Sequence, residues 1–283
     1  MILLDLSQVM ISNIMVQVGQ HTDAIEPDLI RHMVINTIRS LKVKFNSYGE
    51  LIIACDDKKY WRRDYFPFYK ANRKADREKS NIDWHILFDT LNLVKNELNE
   101  NFPYRVIQVE GAEADDVIGT LVMKFSSDLN NQDKILILSG DKDFVQLQQW
   151  SNVIQYDPVR KKDISCNDPK KFINHLVLGG DRGDGIPNVL SNDNCIVEGV
   201  RQKPLREAKI NEILSTSWEE LSDEIQRNWS RNRTLIDLTF IPEKLKTQIF
   251  AEYELQANKP RNKIFNYFVQ HKMKLLLESI GDF

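Results

Sequence analysis

Carboxylates recur in this sequence where apolar runs end. Asp5 closes MILLD, Asp56 closes ELIIACD, Asp141 closes KILILSGD, and EGAEADD at 110–116 follows directly on YRVIQV. GDKDF adds Asp143 two residues past Asp141, and the glycine-rich GDRGD adds Asp181 and Asp184. Each piece alone has an ordinary use: an Asp after a strand caps a helix or turn, and acids in a helix's first turn are favoured by its dipole. Convergence of several distant segments is a different matter. In an open α/β sheet, ligands bind at the carboxyl ends of the strands, so these acids would share one rim. So many carboxylates together stay ionised only against a countercharge. With no histidine or cysteine among them the donors are all oxygen, which suits a hard cation, magnesium or manganese. Two such ions about 4 Å apart can activate a water and stabilise the leaving oxygen of a phosphodiester.

The elements that must position these acids follow from periodicity. Between the apolar runs, the last of which is NVIQYD (152–157), lie helical patterns. Leu29, Ile30, Met33, Val34, Ile38 and Leu41 fall at helical spacing behind Pro27, which suits a first turn. WHILFDTLNLVKNEL and EADDVIGTLVMKF read the same way. Such alternation predicts an α/β fold with a mainly parallel central sheet and helices on both faces. After GGDRGDGIPNV only helical patterns remain: LREAKINEILS, SWEELSDEIQRN, PEKLKTQIFAEYELQ and KIFNYFVQHKMKLLLESI. A boundary near residue 180 is expected, with an α/β core over 1–180 and a helical subdomain over 181–283. Because strand side chains alternate, only one of the adjacent Asp56 and Asp57 can face the rim. Alignment with the apolar run selects Asp56, with Asp57 as the alternative.

Composition excludes some classes. Apolar content of 42% and charged content of 28% over 283 residues are those of a soluble globular protein. No apolar stretch approaches a membrane span, and no signal peptide is read. Cys55, Cys166 and Cys195 are odd in number without C-x-x-C spacing, which argues against a disulfide framework or structural zinc and for a reducing cytoplasm. The net charge of −3 conceals segregation: Lys58–Lys79 holds nine Lys/Arg against three acids. Smaller basic groups lie at Arg160–Lys162, RQKPLREAK (201–209) and KPRNK. Segregated positive charge is the footprint of a polyanionic partner. Tyr60, Trp61, Tyr65, Phe66 and Phe68 interleave with the first basic group, either to stack on unpaired bases or to pack the loop.

LLDLSQ, IIACDDKKYWRRD, FYKANR, EADD, LSGDKDF and GDRGDGIPNV stand in the order found in the flap endonuclease (5′-nuclease) family. The chain resembles that family over nearly its whole length, most specifically between residues 50 and 187. The resemblance implies a PIN-like nuclease core and a metal-dependent 5′ to 3′ exonuclease and flap endonuclease with ribonuclease H activity. Such an enzyme removes RNA primers and 5′ flaps during DNA replication, using two divalent cations, magnesium or alternatively manganese. Carried over by position, Asp5, Asp56, Glu113, Asp115 and Asp141 match one metal group and Asp143, Asp181 and Asp184 the other, with Asp116 supporting the ligands. Tyr69, Lys70 and Arg73 match the base of an arch, here about 58–82, that admits the 5′ single strand, and Lys70 and Arg73 would meet the scissile phosphate. Arg62, Arg63 and Lys74 are further candidates for that strand. Arg201, Lys203, Arg206 and Lys209 are candidates for duplex phosphates. GIPNV here runs into LSNDNCIVEGVRQKP without the G-x-G turn of the family's duplex cradle, which removes the basis for expecting a potassium site. Branched or nicked DNA and RNA–DNA hybrid are the implied partners of a monomer. The terminal LLLESIGDF resembles tails that dock a sliding clamp or a single-strand DNA-binding protein.

Three rival readings are weighed against this one. A PIN-type ribonuclease would share the acidic rim without arch or helical third. A catalytically silent structure-specific DNA-binding protein would lack ligands, whereas every expected acid is present. A haloacid-type phosphohydrolase needs D-x-D at the first strand, where Ser7 stands two residues past Asp5.

Overall fold

Each apolar run becomes a strand in the computed structural model, which describes residues 1–18, 26–80, 82–127 and 133–283. β1 (Ile2–Asp5), β2 (Leu51–Ala54), β3 (Arg105–Ile107), β4 (Ile135–Leu138) and β5 (Val153–Asp157) are parallel in the order β3-β2-β1-β4-β5. A short β6 (Lys162–Ile164) adds an antiparallel edge. The helices between the strands are α1 (Leu6–Val18), α2 (Pro27–Lys44), α3 (Trp61–Tyr65), α4 (Asn72–Glu78), α5 (Trp84–Asn101) and α6 (Ala114–Ser126). After the sheet come α7 (Pro169–Gly179), α8 (Glu207–Ser215), α9 (Asp223–Ile236), α10 (Glu243–Leu255), α11 (Ile264–Gln270) and α12 (Lys274–Glu278).

The two-residue period of a strand sorts its side chains between two cores. Leu3, Ile52, Ile107 and Ile137 pack on one face with Val117 and Leu121 of α6 and Leu245 and Ile249 of α10. Ile2, Leu4, Ile53 and Leu138 pack on the other with α1, α2, α5, α11 and α12. Burial on both faces explains why the strands read as continuous apolar runs. The strand order reverses between β1 and β4, the usual place for a ligand crevice. Asp5, the segment after Ala54, the turn before α6 and Ser139–Asp141 all emerge at this carboxyl edge.

Two helical expectations resolve differently. KIFNYFVQHKMKLLLESI breaks at Lys272, whose φ is 54°, into α11 and α12. At about 100° per residue, an unbroken helix would turn Met273 away from the stripe of Ile264, Tyr267 and Phe268. The break lets all four residues enter one core. In SWEELSDEIQRN the helix begins only at Asp223, where the Ser222 side chain accepts from Ile225 N. Among the described residues, no helix is long and apolar enough to cross a membrane.

Candidate functional site

The face rule at β2 separates the adjacent aspartates onto opposite sides. Ile52 and Ala54 face α6, and Asp56, two residues on, accepts from Ala114 N at the start of that helix (2.9 Å) and from Ser7 Oγ (2.6 Å). Asp57 turns away and organises its loop by accepting from Gly111 N, Lys59 N and Gln108 Nε2. Burial alone would raise the Asp57 carboxyl, yet these donors hold it below its ordinary value.

Asp5 and Asp141 arrive from strand ends, and Asp181 from the loop after α7. Asp5 Oδ1 caps α1 through Gln8 N, and its Oδ2 accepts from Ser139 Oγ. Asp141 Oδ1 accepts from Asp143 N (2.9 Å), and Asp181 Oδ1 accepts from Gly183 N and Asp184 N. Burial, then the charges of Asp56 and Asp141, push Asp5 up to about 7. Burial likewise raises Asp115, with Asp141, Glu113 and Asp5 repelling it, and raises Asp141, with Asp184 and Asp181 adding to the effect. Asp143 rises well above its ordinary value from burial and from Asp141, Asp184 and Asp181. The acids named from the sequence therefore share one electrostatic site.

Two members are held ionised by the basic segment. Glu113 is buried, yet Lys70 (Nζ to Oε1, 2.5 Å) and Arg62 (Nη1 to Oε2, 2.9 Å) keep it below its ordinary value. Asp184 is lowered in spite of burial by Lys70 and Arg73, the latter at 2.6 Å. Lys70 stays protonated although burial opposes its charge, because Asp184 and Glu113 outweigh that cost. Lys142 reaches Asp181 at 2.7 Å. Lys70 lies at φ 54°, a conformation uncommon outside glycine, and its N–H donates to Asp184 O (2.7 Å). The acidic loop and the basic segment are thus tied by main chain as well as by charge.

The rim fits divalent cations by its donor chemistry. Its donors are all carboxylates, of which burial and mutual repulsion drive Asp5, Asp115, Asp141 and Asp143 toward protonation, and Asp143 Oδ1 is buried without a hydrogen-bond partner. Among the described residues no three side chains already close into a coordination cage; Lys70, Arg73 and Lys142 reach onto the carboxylates instead.

Several expectations need correction. Arg62 and Tyr69 were expected along nucleic acid, but they are 3% and 2% exposed. Arg62 donates to Leu235 O and pairs with Glu113 and Asp116, while Tyr69 Oη donates to the carboxylates of Glu113 and Asp184. Phe66, Phe68 and Tyr60 pack with Val177, Ile186 and Leu235, and Trp61 packs against the core on the α6 face. Only Tyr65 of the five aromatics is an exposed ring. The terminal Phe283 is in the core rather than free to dock a partner. Arg63, Lys74, Arg201 and Arg206 are exposed, while Lys203 and Lys209 are exposed or half-buried and pair with Glu224 and Glu212. Asn81, inside the expected arch, lies outside the described residues.

Residues that sequence reading missed hold the rim from behind. Gln155, fully buried in β5, donates to Ser139 O and Asp141 O, and Gln8 Oε1 accepts from Gly140 N. Gln146 donates to Asp143 O. A lone glutamine inside the otherwise apolar run NVIQYD was the available signal. Beside the rim, a 670 Å³ cleft runs from Asp56 past Tyr60, Arg73 and Arg77 to Trp84 and Phe88.

A doubly wound sheet with carboxylates at its switch point and cations ranged against them defines the resolvase-like class of nucleases. Residues 8–176 match the family described as 5′-3′ exonuclease, N-terminal resolvase-like domain, and residues 169–283 match T4 RNase H, C terminal. The chain is 33% identical to Ribonuclease H of Enterobacteria phage T4, over 99% of this chain and 95% of that protein. It is 34% identical to flap endonuclease Xni of Shewanella woodyi, over 52% of this chain and 57% of the other. The fold matches that of the bacteriophage T5 D15 flap endonuclease, solved as a pseudo-enzyme-product complex with DNA and metal ions. The TM-score is 0.63 at 19% identity, covering 90% of this chain and 98% of that one. The chain belongs to the 5′-3′ exonuclease family, and it is a nuclease, a phosphodiester hydrolase.

Proposed function

We propose that this nuclease removes RNA primers and 5′ flaps during DNA replication, cutting flap DNA and RNA–DNA hybrid from the 5′ end. The observation that carries the reading is the rim itself: Glu113, at the start of α6, and Asp184, from the loop after α7, meet Lys70 and Arg73 at ion-pair distance. Asp5, Asp56, Glu113, Asp115 and Asp141 would hold one divalent cation and Asp143, Asp181 and Asp184 a second, magnesium or manganese. Bound there, such ions would neutralise the carboxylates, acidify a water and stabilise charge on the phosphate. Lys70 and Arg73 would exchange part of their carboxylate contact for the scissile phosphate, offering fixed donors where negative charge develops. The cleft from Asp56 to Trp84 would take the unpaired 5′ strand beside Arg63 and Lys74. The part beyond residue 180, with Arg201, Lys203, Arg206 and Lys209, would bind the duplex.

Cleavage of a 5′-labelled flap and of an RNA–DNA hybrid, with magnesium and with EDTA, tests this for the wild type beside Asp141→Asn. Metal-dependent release of short 5′ fragments, lost in the variant, is the expected result. Retained flap binding without cleavage would overturn it.

A further inference from the structure

We infer that the cavity enclosed by α1, α2 and the turn between β5 and β6 binds a phosphorylated mononucleotide, at a site separate from the carboxylate rim. The cavity measures 510 Å³, a size suited to a small organic ligand. Val9 of α1 and Leu41 of α2 give it apolar surface from the helices, and Pro158 and Val159 give more from the turn. Lys44 and Lys161 supply two cations, and among the described residues no carboxylate lines it. Lys44 is set in place by contact: its Nζ donates to Tyr156 Oη at 2.5 Å and lies 4.0 Å from the centroid of that ring. Tyr156 lines the same cavity and is braced edge-on by Phe45. Neither lysine is in an ion pair among the described residues, unlike Lys70 and Lys142, which are matched to acids.

The remaining polar groups fix the sign of the ligand. The hydroxyls of Ser12 and Ser40 are spent on Val9 O and Asn36 O, and the Asn13 amide donates to Val9 O. Asn36 Oδ1 accepts from Arg39 Nη2, which leaves its Nδ2 without a partner among the described residues. What stays open is therefore a set of donors, two of them charged, beside apolar walls. Such a set selects a compact anion joined to a flat, weakly polar ring. A phosphomonoester carries about −1.5 to −2 charge at neutral pH, so it matches two ammonium groups better than the single charge of a backbone phosphodiester does. The reaction of a nuclease supplies this class. Hydrolysis breaks one P–O bond, water gives its hydroxyl to phosphorus and a proton to the departing oxygen, and one product ends in a phosphomonoester. Side chains alternate along β5: Gln155 donates to Ser139 O and Asp141 O behind the rim, whereas Tyr156 belongs to the core shared with α1 and α2. None of the rim acids lines the cavity, so the ligand binds without touching them.

The test is calorimetric titration in EDTA with deoxyadenosine 5′-monophosphate, deoxyadenosine and inorganic phosphate. The monophosphate should bind wild type, with the nucleoside and phosphate each weaker by about tenfold or more, because each keeps only part of the contacts. Lys44→Met and Lys161→Asn should each weaken the monophosphate about tenfold, the loss of a charge-assisted hydrogen bond. Asparagine is chosen at 161 because it tolerates the φ of 54° there. Lys161 is exposed and unbonded among the described residues, so its variant keeps the test readable if parting Lys44 from Tyr156 lowers stability. Asp141→Asn at the rim should leave the affinity within about twofold, as independent sites do. Absence of monophosphate binding would overturn the inference, and so would inorganic phosphate binding as tightly, which makes the cavity an anion patch alone. Binding lost in Asp141→Asn and kept in both lysine variants would place the mononucleotide at the rim instead. Lysine variants that weaken a flap duplex and flatten its salt dependence, with monophosphate binding unchanged, would make this a polynucleotide face and overturn it as well.

Discussion

Arg62 makes it possible for Glu113 and Asp116 to be buried side by side. Its guanidinium pairs with both carboxylates at 2.9 Å and donates to Leu235 O at 2.8 Å. Arg62→Met removes the charge while keeping much of the volume, and it leaves the pair of acids without this partner. Breaking a buried pair from one side costs about 3–5 kcal/mol, so a fall in melting temperature on the order of 10 °C is expected. Arg62→Lys should recover little, since an ammonium cannot span three acceptors in one plane. The opposite sign applies at Asp5. Its carboxyl titrates near 7 when folded, against an ordinary value of 3.8, so the metal-free folded state binds the proton more tightly than the unfolded chain does. The charge is therefore a penalty present in full above pH 7 and relieved as pH falls toward 4. Thermal melts in EDTA should show higher stability at pH 6 than at pH 8, and Asp5→Asn should raise the melting temperature at pH 8 while abolishing cleavage. A wild-type melt in EDTA that weakens steadily from pH 8 to 6 would contradict this.

The element that joins the two halves of the site is the loop from Gly180 to Gly185, docked on the 66–73 segment. Gly185 has φ 73°, and a Cβ there would lie 2.6 Å from Phe68 O, a main-chain atom unable to swing aside. Gly185→Ala should therefore push the loop off the segment, weakening Lys70 N to Asp184 O and with it the Lys70 contact to the rim. Loss of at least tenfold in kcat, together with a lowered melting temperature, is the expected outcome of single-turnover assays and thermal melts. Gly179→Ala, where added bulk meets nothing, serves as the control. Legibility divides at this scale. The strands were readable because burial on both faces leaves continuous apolar runs, and Asp5, Asp56 and Asp141 drew notice because they close those runs. Side-chain alternation said that Asp56 and Asp57 point to opposite sides, and alignment with the apolar run was needed to choose Asp56. The burial of Arg62 and Tyr69 was not readable, because charge count and motif order say that a residue is basic or aromatic but not which acid it faces. Gln155 and Gln146 were missed for a related reason: their partners are carbonyls brought close only by the fold.

At the scale of the molecule, helices from beyond residue 180 complete both cores of the sheet, α10 on one face and α11 with α12 on the other. Periodicity predicted α10, and a single helix where α11 and α12 stand, but not their destination, since contacts across so many residues leave no local trace. Phe283 shows the consequence. It is 1% exposed, its ring lies 5.7 Å from Phe102 and 5.1 Å from Phe268, and the chain before it is held by Arg39 to Asp282 and by Arg261 to Ile280 O. Phe283→Ala should leave a cavity and cost about 3–5 kcal/mol, seen as a melting temperature lower by roughly 10 °C. Because no rim residue touches it, cleavage measured well below the melting point should stay within about twofold of wild type, a residue outside the transition-state contacts having little leverage on the rate. The same variant separates two uses of LLLESIGDF. A core residue lowers stability whether or not a partner is present, whereas a docking residue would lose the partner and leave the melt unchanged. The packing of Phe283 between Phe102 and Phe268 places the expectation with the first.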